Sequence, residues 1–151
     1  MNNNYIIMQL PLSILIVDDE VDIGLLLKQF LHGLGINTVS FTCPLLAFEH
    51  LKNNHKNYSL VITDLRMPGM TGIDLANKIR KEISTSIKIF LITAFDISDL
   101  KDQPNFKTAN IENVIQKPIK LAYLKKIINQ TFQQQQQQLS NIENNINIVN
   151  I

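Results

Sequence analysis

Apolar residues keep two rhythms along this chain. Short, nearly unbroken runs occur at Ile14–Val17, Leu60–Thr63, Lys88–Ile92 and Ile111–Ile115, and a looser one, Ile36–Phe41, alternates with polar residues. Runs rich in β-branched side chains suit strands covered on both faces, as in a parallel sheet; the alternating run belongs nearer an edge. Between the runs, apolar residues return every third or fourth position. Val21 to Leu34 places Val21, Leu25, Leu26, Phe30 and Leu34 at helical spacing, with Gly35 as its stop. Pro44 to Leu51 opens on a proline suited to a first helical turn. Ile73–Ile83 and Ile119–Phe132 repeat the helical pattern. The stretch Asp96–Asn110 is the least regular: Ile97, Leu100 and Phe106 argue for a helix, while Pro104 breaks it. A short or irregular helix is expected there. Five successive βα units predict an α/β fold, a doubly wound parallel sheet with right-handed crossovers.

The pattern changes after Phe132, where an unbroken Gln133–Gln138 run is followed by LSNIENNINIVNI. Low-complexity glutamine and asparagine suit a disordered tail. Yet Ile128, Phe132, Leu139, Ile142, Ile146 and Val149 keep a spacing of three and four, with Gln135 at the missing step. That suits the last helix continuing as a coiled-coil seam. Both readings stand at this level. The chain therefore divides into an N-terminal extension (1–11), one domain (12–132) and a Gln/Asn-rich tail (133–151), disordered or helical. Fewer than twenty residues follow Phe132, so a second domain is not expected there.

Composition narrows the function classes. A chain of 151 residues with 45% hydrophobic content can build one substantial core. The formal net charge is +1 and the basic residues are scattered, which argues against direct nucleic-acid binding. Cys43 is the single cysteine, so neither an intramolecular disulfide nor a Cys/His metal cluster is expected. The opening MNNNYIIMQLPL has no basic stretch followed by a long apolar one, and no segment has the length of a membrane span. A cytoplasmic protein without membrane insertion is the simplest reading.

In doubly wound sheets, ligands bind beyond the carboxyl ends of the strands, where the strand order switches. That rule gives several distant polar residues one address. Asp18 and Asp19 follow the first strand, Asp64 the third, Thr93 the fourth and Lys117 the fifth. Singly, each has an ordinary explanation. An Asp-Asp pair after a strand commonly caps a helix, and Asp18 or Asp19 can serve in that way as well. Together the three carboxylates repel one another unless a cation or protons neutralise them. All-oxygen ligation suits a hard ion, Mg²⁺ first and Mn²⁺ as the alternative. An acid nucleophile, a divalent ion, a lysine and a hydroxyl make a phosphoryl-transfer site, where catalysis is mainly positioning and charge neutralisation.

The ordered motifs ILIVDDE, VITDLRMPGMTG, FLITA and VIQKPI resemble the receiver domain of two-component response regulators, over roughly residues 12–132. The resemblance implies a flavodoxin-like (βα)5 fold with strand order 2-1-3-4-5. It implies that Asp64 accepts a phosphoryl group from a histidine kinase or histidine phosphotransfer protein. Asp18 and Asp19 then resemble the acidic pair that holds Mg²⁺, with Asp19 the closer ligand, and Asp64 and the Arg66 carbonyl complete the metal set. Thr93 corresponds to the hydroxyl that moves onto the phosphoryl group, and Lys117 to the lysine that pairs with acid and phosphate. Pro118 corresponds to a proline preceded by a cis peptide bond.

Two features depart from the family pattern. Many receivers carry an aromatic three residues before the lysine, and here that residue is Val114; Tyr123 and Phe95 are the nearby alternatives. Bulky Phe95, two residues past Thr93, is expected to shield the acyl phosphate from water. The reading is of a stand-alone, phosphorylation-dependent switch, not a conventional enzyme, that acts through an unknown downstream protein and can form a homodimer through its last helices or tail. Two other functions are compatible with parts of the pattern. One is a Mg²⁺-dependent phosphatase or phosphotransferase with an aspartate nucleophile. Such enzymes usually carry an acid two residues beyond the nucleophile, where Asp64 has Arg66 and Asp18 has Glu20. The other is a receiver-like scaffold that works unphosphorylated.

Overall fold

The computed structural model describes residues 13–84 and 86–149, with only the backbone of Gln134, Gln135, Gln136 and Leu139. The expected N-terminal extension lies outside the described residues. Five strands form one sheet: β1 (Ser13–Val17), β2 (Asn37–Phe41), β3 (Leu60–Asp64), β4 (Lys88–Thr93) and β5 (Asn113–Gln116). All neighbours are parallel and their order is β2-β1-β3-β4-β5. The helices are α1 (Val21–Gly33), α2 (Pro44–Asn54), α3 (Gly72–Glu82), α4 (Ile97–Lys101), α5 (Phe106–Ala109) and α6 (Leu121–Val149), with a 3-10 turn at His55–Asn57. No helix among the described residues is long and apolar enough to cross a membrane.

Alternation along each strand sends side chains into two separate cores. Leu15, Val17, Val61, Ile89 and Leu91 face α2 and α3, where Phe48, Leu51, Leu75 and Ile79 are buried. Ile14, Ile16, Ile62, Phe90 and Ile92 face α1 and α6, meeting Leu27, Leu31, Leu124, Ile128 and Phe132. This two-sided burial is the reason the strands read as continuous apolar runs. Among the described residues β2 pairs only with β1, and Asn37 at its start is exposed, consistent with its looser pattern.

Several boundaries differ from the sequence expectation. β5 begins at Asn113 instead of Ile111, because Asn110 caps α5 in the left-handed region (φ 49°) and the ladder to β4 starts at the Phe90–Asn113 pair. The irregular stretch resolves into two short helices, α4 and α5, on either side of Pro104. α3 holds them in place. Asn77 Nδ2 donates to the Asn105 carbonyl at 2.8 Å, and Arg80 donates to the carbonyls of Ala109 and Asn110, both at 3.1 Å. α6 starts at Leu121, two residues later than expected, and runs without a break through the glutamine run to Val149.

Candidate functional site

The order β2-β1-β3 places the switch point between β1 and β3, and Val17 pairs with Thr63 at that edge. The next residue on each strand is therefore Asp18 and Asp64, side by side. Asp64 is the last residue of β3 and pairs with Ile92 of β4. The following residue of β4, Thr93, pairs with Gln116, so Lys117 emerges next to it and its N–H donates to the Thr93 carbonyl at 2.8 Å. The Lys117–Pro118 peptide bond is cis.

Carboxylate oxygens of Asp18, Asp19 and Asp64 lie within 4.8 Å of one another. Asp18 and Asp64 are buried while Asp19 is exposed. Lys117 Nζ stands 3.4 Å from Asp64 Oδ1 and 4.0 Å from Glu20 Oε1. Asp64 Oδ1 also accepts from the Leu65 N–H at 3.0 Å. Thr93 Oγ1 accepts from the Phe95 N–H at 2.9 Å, which leaves the hydroxyl hydrogen as the donor Thr93 can offer. Asp19, Glu20, Asp64, Thr93 and Lys117 line an open cavity of about 330 Å³ that Arg66 and Phe95 also border. The Arg66 guanidinium stacks 4.3 Å over the Phe95 ring, a cation–π contact across the rim.

The charge balance is unfavourable as it stands. Burial pushes the Asp18 carboxyl up to about 6 from the ordinary 3.8; the Glu20 N–H, donating to Asp18 Oδ1 at 2.9 Å, opposes this, and the Asp64 charge adds to it. Asp64 is raised as well, first by burial, with Lys117 pulling it back down. One oxygen, Asp18 Oδ2, is buried with no hydrogen-bond partner among the described residues. Buried acceptors without a donor are costly and call for a counterpart. A hard divalent cation fits this donor set: oxygen-only, concentrated negative charge, and a lone pair aimed at nothing else.

The structure brings Asp18, Asp19, Asp64, Thr93 and Lys117 together at this edge of the sheet, and Arg66 borders the cavity beside them. The capping expectation is corrected. The N-cap of α1 is Glu20, its side chain makes no cap hydrogen bond, and Asp18 reaches only the Glu20 N–H. Two participants are not anticipated by the sequence. Glu20 is the second partner of Lys117, and the third consecutive acid in DDE is the signal that could have pointed to it. The Arg66–Phe95 stack has no such signal, because side-chain direction in loops is not encoded in spacing. Val114 on β5 is half-buried and pairs with Leu91, and Tyr123 is partly exposed on the wall of an adjacent hollow of about 360 Å³.

A family model described as the response regulator receiver domain matches residues 14–129. Chemotaxis protein CheY-3 of Vibrio cholerae is 32% identical over 126 residues, covering 81% of this chain and 92% of that protein. Response regulator RppA of Synechocystis is 27% identical over 113 residues, 75% of this chain and 47% of RppA. The chain thus spans less than half the length of that relative. A receiver-domain crystal structure from Clostridium thermocellum superposes with a TM-score of 0.74 at 22% identity, over 83% of this chain and 97% of that one, a likeness of fold.

Proposed function

The chain belongs to the response regulator receiver family, and on that premise we propose that it is a phosphorylation-dependent signalling switch whose acceptor is Asp64. The observation that carries this reading is the meeting of three carboxylates within 4.8 Å with Lys117 Nζ 3.4 Å from Asp64. The switch is assigned to residues 12–132, with 1–11 and 133–151 as its extensions.

In the proposed reaction an Asp64 carboxylate oxygen attacks the phosphorus of a phosphohistidine. The new O–P bond forms as the P–N bond breaks, and the electron pair leaves with the imidazole nitrogen, which takes up a proton. Asp64 is held for this by its place at the end of a strand buried on both faces, so little reorganisation is needed. Lys117 moves from pairing with the carboxylate to pairing with the transferred phosphoryl oxygens, and the Thr93 hydroxyl donates to one of them. Asp18, Asp19, Asp64 and the Arg66 carbonyl would hold Mg²⁺, which neutralises charge on the transferred oxygens. Mn²⁺ is the alternative ion.

The donor is a histidine kinase or histidine phosphotransfer protein. Val21 and Leu25, exposed on α1, offer apolar contact area for such a donor. The product is a changed surface read by a downstream protein. The chain turns over no external substrate and only slowly hydrolyses its own acyl phosphate, and it works in the cytoplasm.

The test is incubation with Mg²⁺ and acetyl phosphate, read by intact mass. Wild type is expected to gain one phosphoryl group and Asp64→Asn none. An adduct on Asp64→Asn at the wild-type level would overturn the assignment.

A further inference from the structure

α6 is longer than the sheet it covers. From Leu121 to Phe132 it advances about 17 Å at 1.5 Å per residue, the length of a five-residue strand. It starts beyond the carboxyl end of β5 and runs back over parallel strands, so Phe132 lies at their amino ends. Phe132 shares a buried cluster there with Ile14, Ile36 and Leu60, each within one residue of the start of its strand.

Beyond Phe132 the helix keeps its apolar face but loses its cover. Ile142 and Ile146 follow Leu124 and Ile128 by eighteen residues each, five whole turns, so they point to the side on which the sheet lies. Leu124 and Ile128 are 0% and 1% exposed, whereas Ile142 and Ile146 are 55% and 53% exposed. The helix over 133–149 reaches about 25 Å past Phe132. Asparagine and glutamine dominate its composition, and a helix of this kind is marginal in water without a packing partner.

One segment of this chain arrives at the same edge. β1 begins at Ser13, and Ile14 beside it packs in the cluster that holds Phe132, so residues 1–12 join the sheet next to the place where α6 leaves it. Their sequence, MNNNYIIMQLPL, has no charged side chain, and an extended chain presents Ile6, Met8, Leu10 and Leu12 on one side. Tyr5 to Leu12 spans about 26 Å when extended, which matches the exposed length of α6. From Gln133 to Val149, Glu143 is the only charged residue, so the stripe offers apolar contact to an apolar segment. Tethered at Ser13, that segment has an effective concentration on the order of millimolar at the helix, an advantage no separate protein shares.

We propose that residues 5–12 of the same chain cover the exposed face of α6 as an extended segment, Met8 against Ile142 and Ile6 against Ile146. The segment and the helix leave the sheet side by side with opposite chain directions. The contact lies at the other end of the sheet from Asp64 and is independent of phosphoryl transfer there.

Disulfide trapping in the full chain tests it. In a Cys43→Ser background, Met8→Cys/Ile142→Cys is expected to close an intramolecular disulfide on mild oxidation, read by intact mass and loss of free thiol. Met8→Cys/Asn144→Cys, with its second cysteine on the opposite side of the helix, is expected to keep both thiols. Free thiols in the first variant, equal closure in both, or linkage only between two copies would each overturn the proposal. Hydrogen exchange gives an independent readout. Ile6→Asp/Met8→Asp is expected to speed amide exchange over 137–149 by about tenfold or more and to leave α1 as it is. Unchanged exchange in the tail would refute the contact.

Discussion

Asp64, Thr93 and Lys117 were legible as a group because parallel strands all present their carboxyl ends to the same edge of the sheet. One residue at or just past the end of each predicted strand was enough to gather them. What spacing could not supply was direction. Lys117 stands between Asp64 and Glu20, and Arg66 lies over Phe95, contacts set by rotamers and loop path. The Arg66–Phe95 stack bears on the shielding expected of Phe95: the guanidinium lies 4.3 Å over the ring, and both residues border the cavity. Phe95→Ala is accordingly expected to shorten the phosphorylated lifetime several-fold, measured by decay of the intact-mass adduct after donor removal. An unchanged or slower decay would count against shielding.

Among the elements, α3 shows how much of the turn after Asp64 is governed by packing. Its helical pattern was readable from Ile73 onward; its start is fixed by Thr71, which forms a reciprocal capping box with Asp74. The reason for Gly72 was not readable. Its N–H donates to the Leu65 carbonyl at 2.8 Å, and a Cβ there would fall against the Asp64 carbonyl oxygen and 2.8 Å from Leu91 Cδ1. Gly72→Ala therefore has to push α3 off the end of β3. It is expected to cost about 1–3 kcal/mol in urea unfolding and to lower acetyl phosphate labelling of Asp64. Gly33→Ala is the control: an added Cβ meets nothing within 4 Å, so helix propensity leaves it neutral or stabilised by up to about 1 kcal/mol. The stretch between β4 and β5 was only half legible for a related reason. Pro104 announced the break, but the two short helices it leaves are held by Asn77 and Arg80 from a different element.

For the molecule as a whole, the site works against stability. The folded protein keeps the Asp18 proton between about pH 3.8 and about 6, where the unfolded chain has released it. Folding then takes up protons in that window, so this group's contribution to stability falls as pH rises through it and the cost is complete above about 6. Asp64 is shifted in the same direction. Asp18→Asn is thus expected to be more stable than metal-free wild type, by a margin that grows from about pH 4 to about pH 7, read from thermal melts. Mg²⁺, if held by the ionised acids as proposed, would oppose the same cost. At a hundred times its dissociation constant it is expected to add about 2.7 kcal/mol, a rise in Tm of about 5–10 °C for a chain of this size. That gain should be large near neutral pH and small in Asp18→Asn. A wild-type Tm indifferent to Mg²⁺ at neutral pH would remove the metal from the account.

The amino-acid sequence by itself determined the α/β class, the five strands and the convergence of the acids, Thr93 and Lys117. These depend on periodicity and on residues placed at the ends of strands, both of which are local properties of the chain. The family motifs added the strand order. Only the tertiary structure decided the capping of α1, the second partner of Lys117, the need for glycine at position 72 and the continuous course of α6. The first three depend on what a residue meets across space: the Glu20 N–H for Asp18, Glu20 for Lys117, the Asp64 carbonyl for Gly72. One-dimensional spacing does not record such meetings.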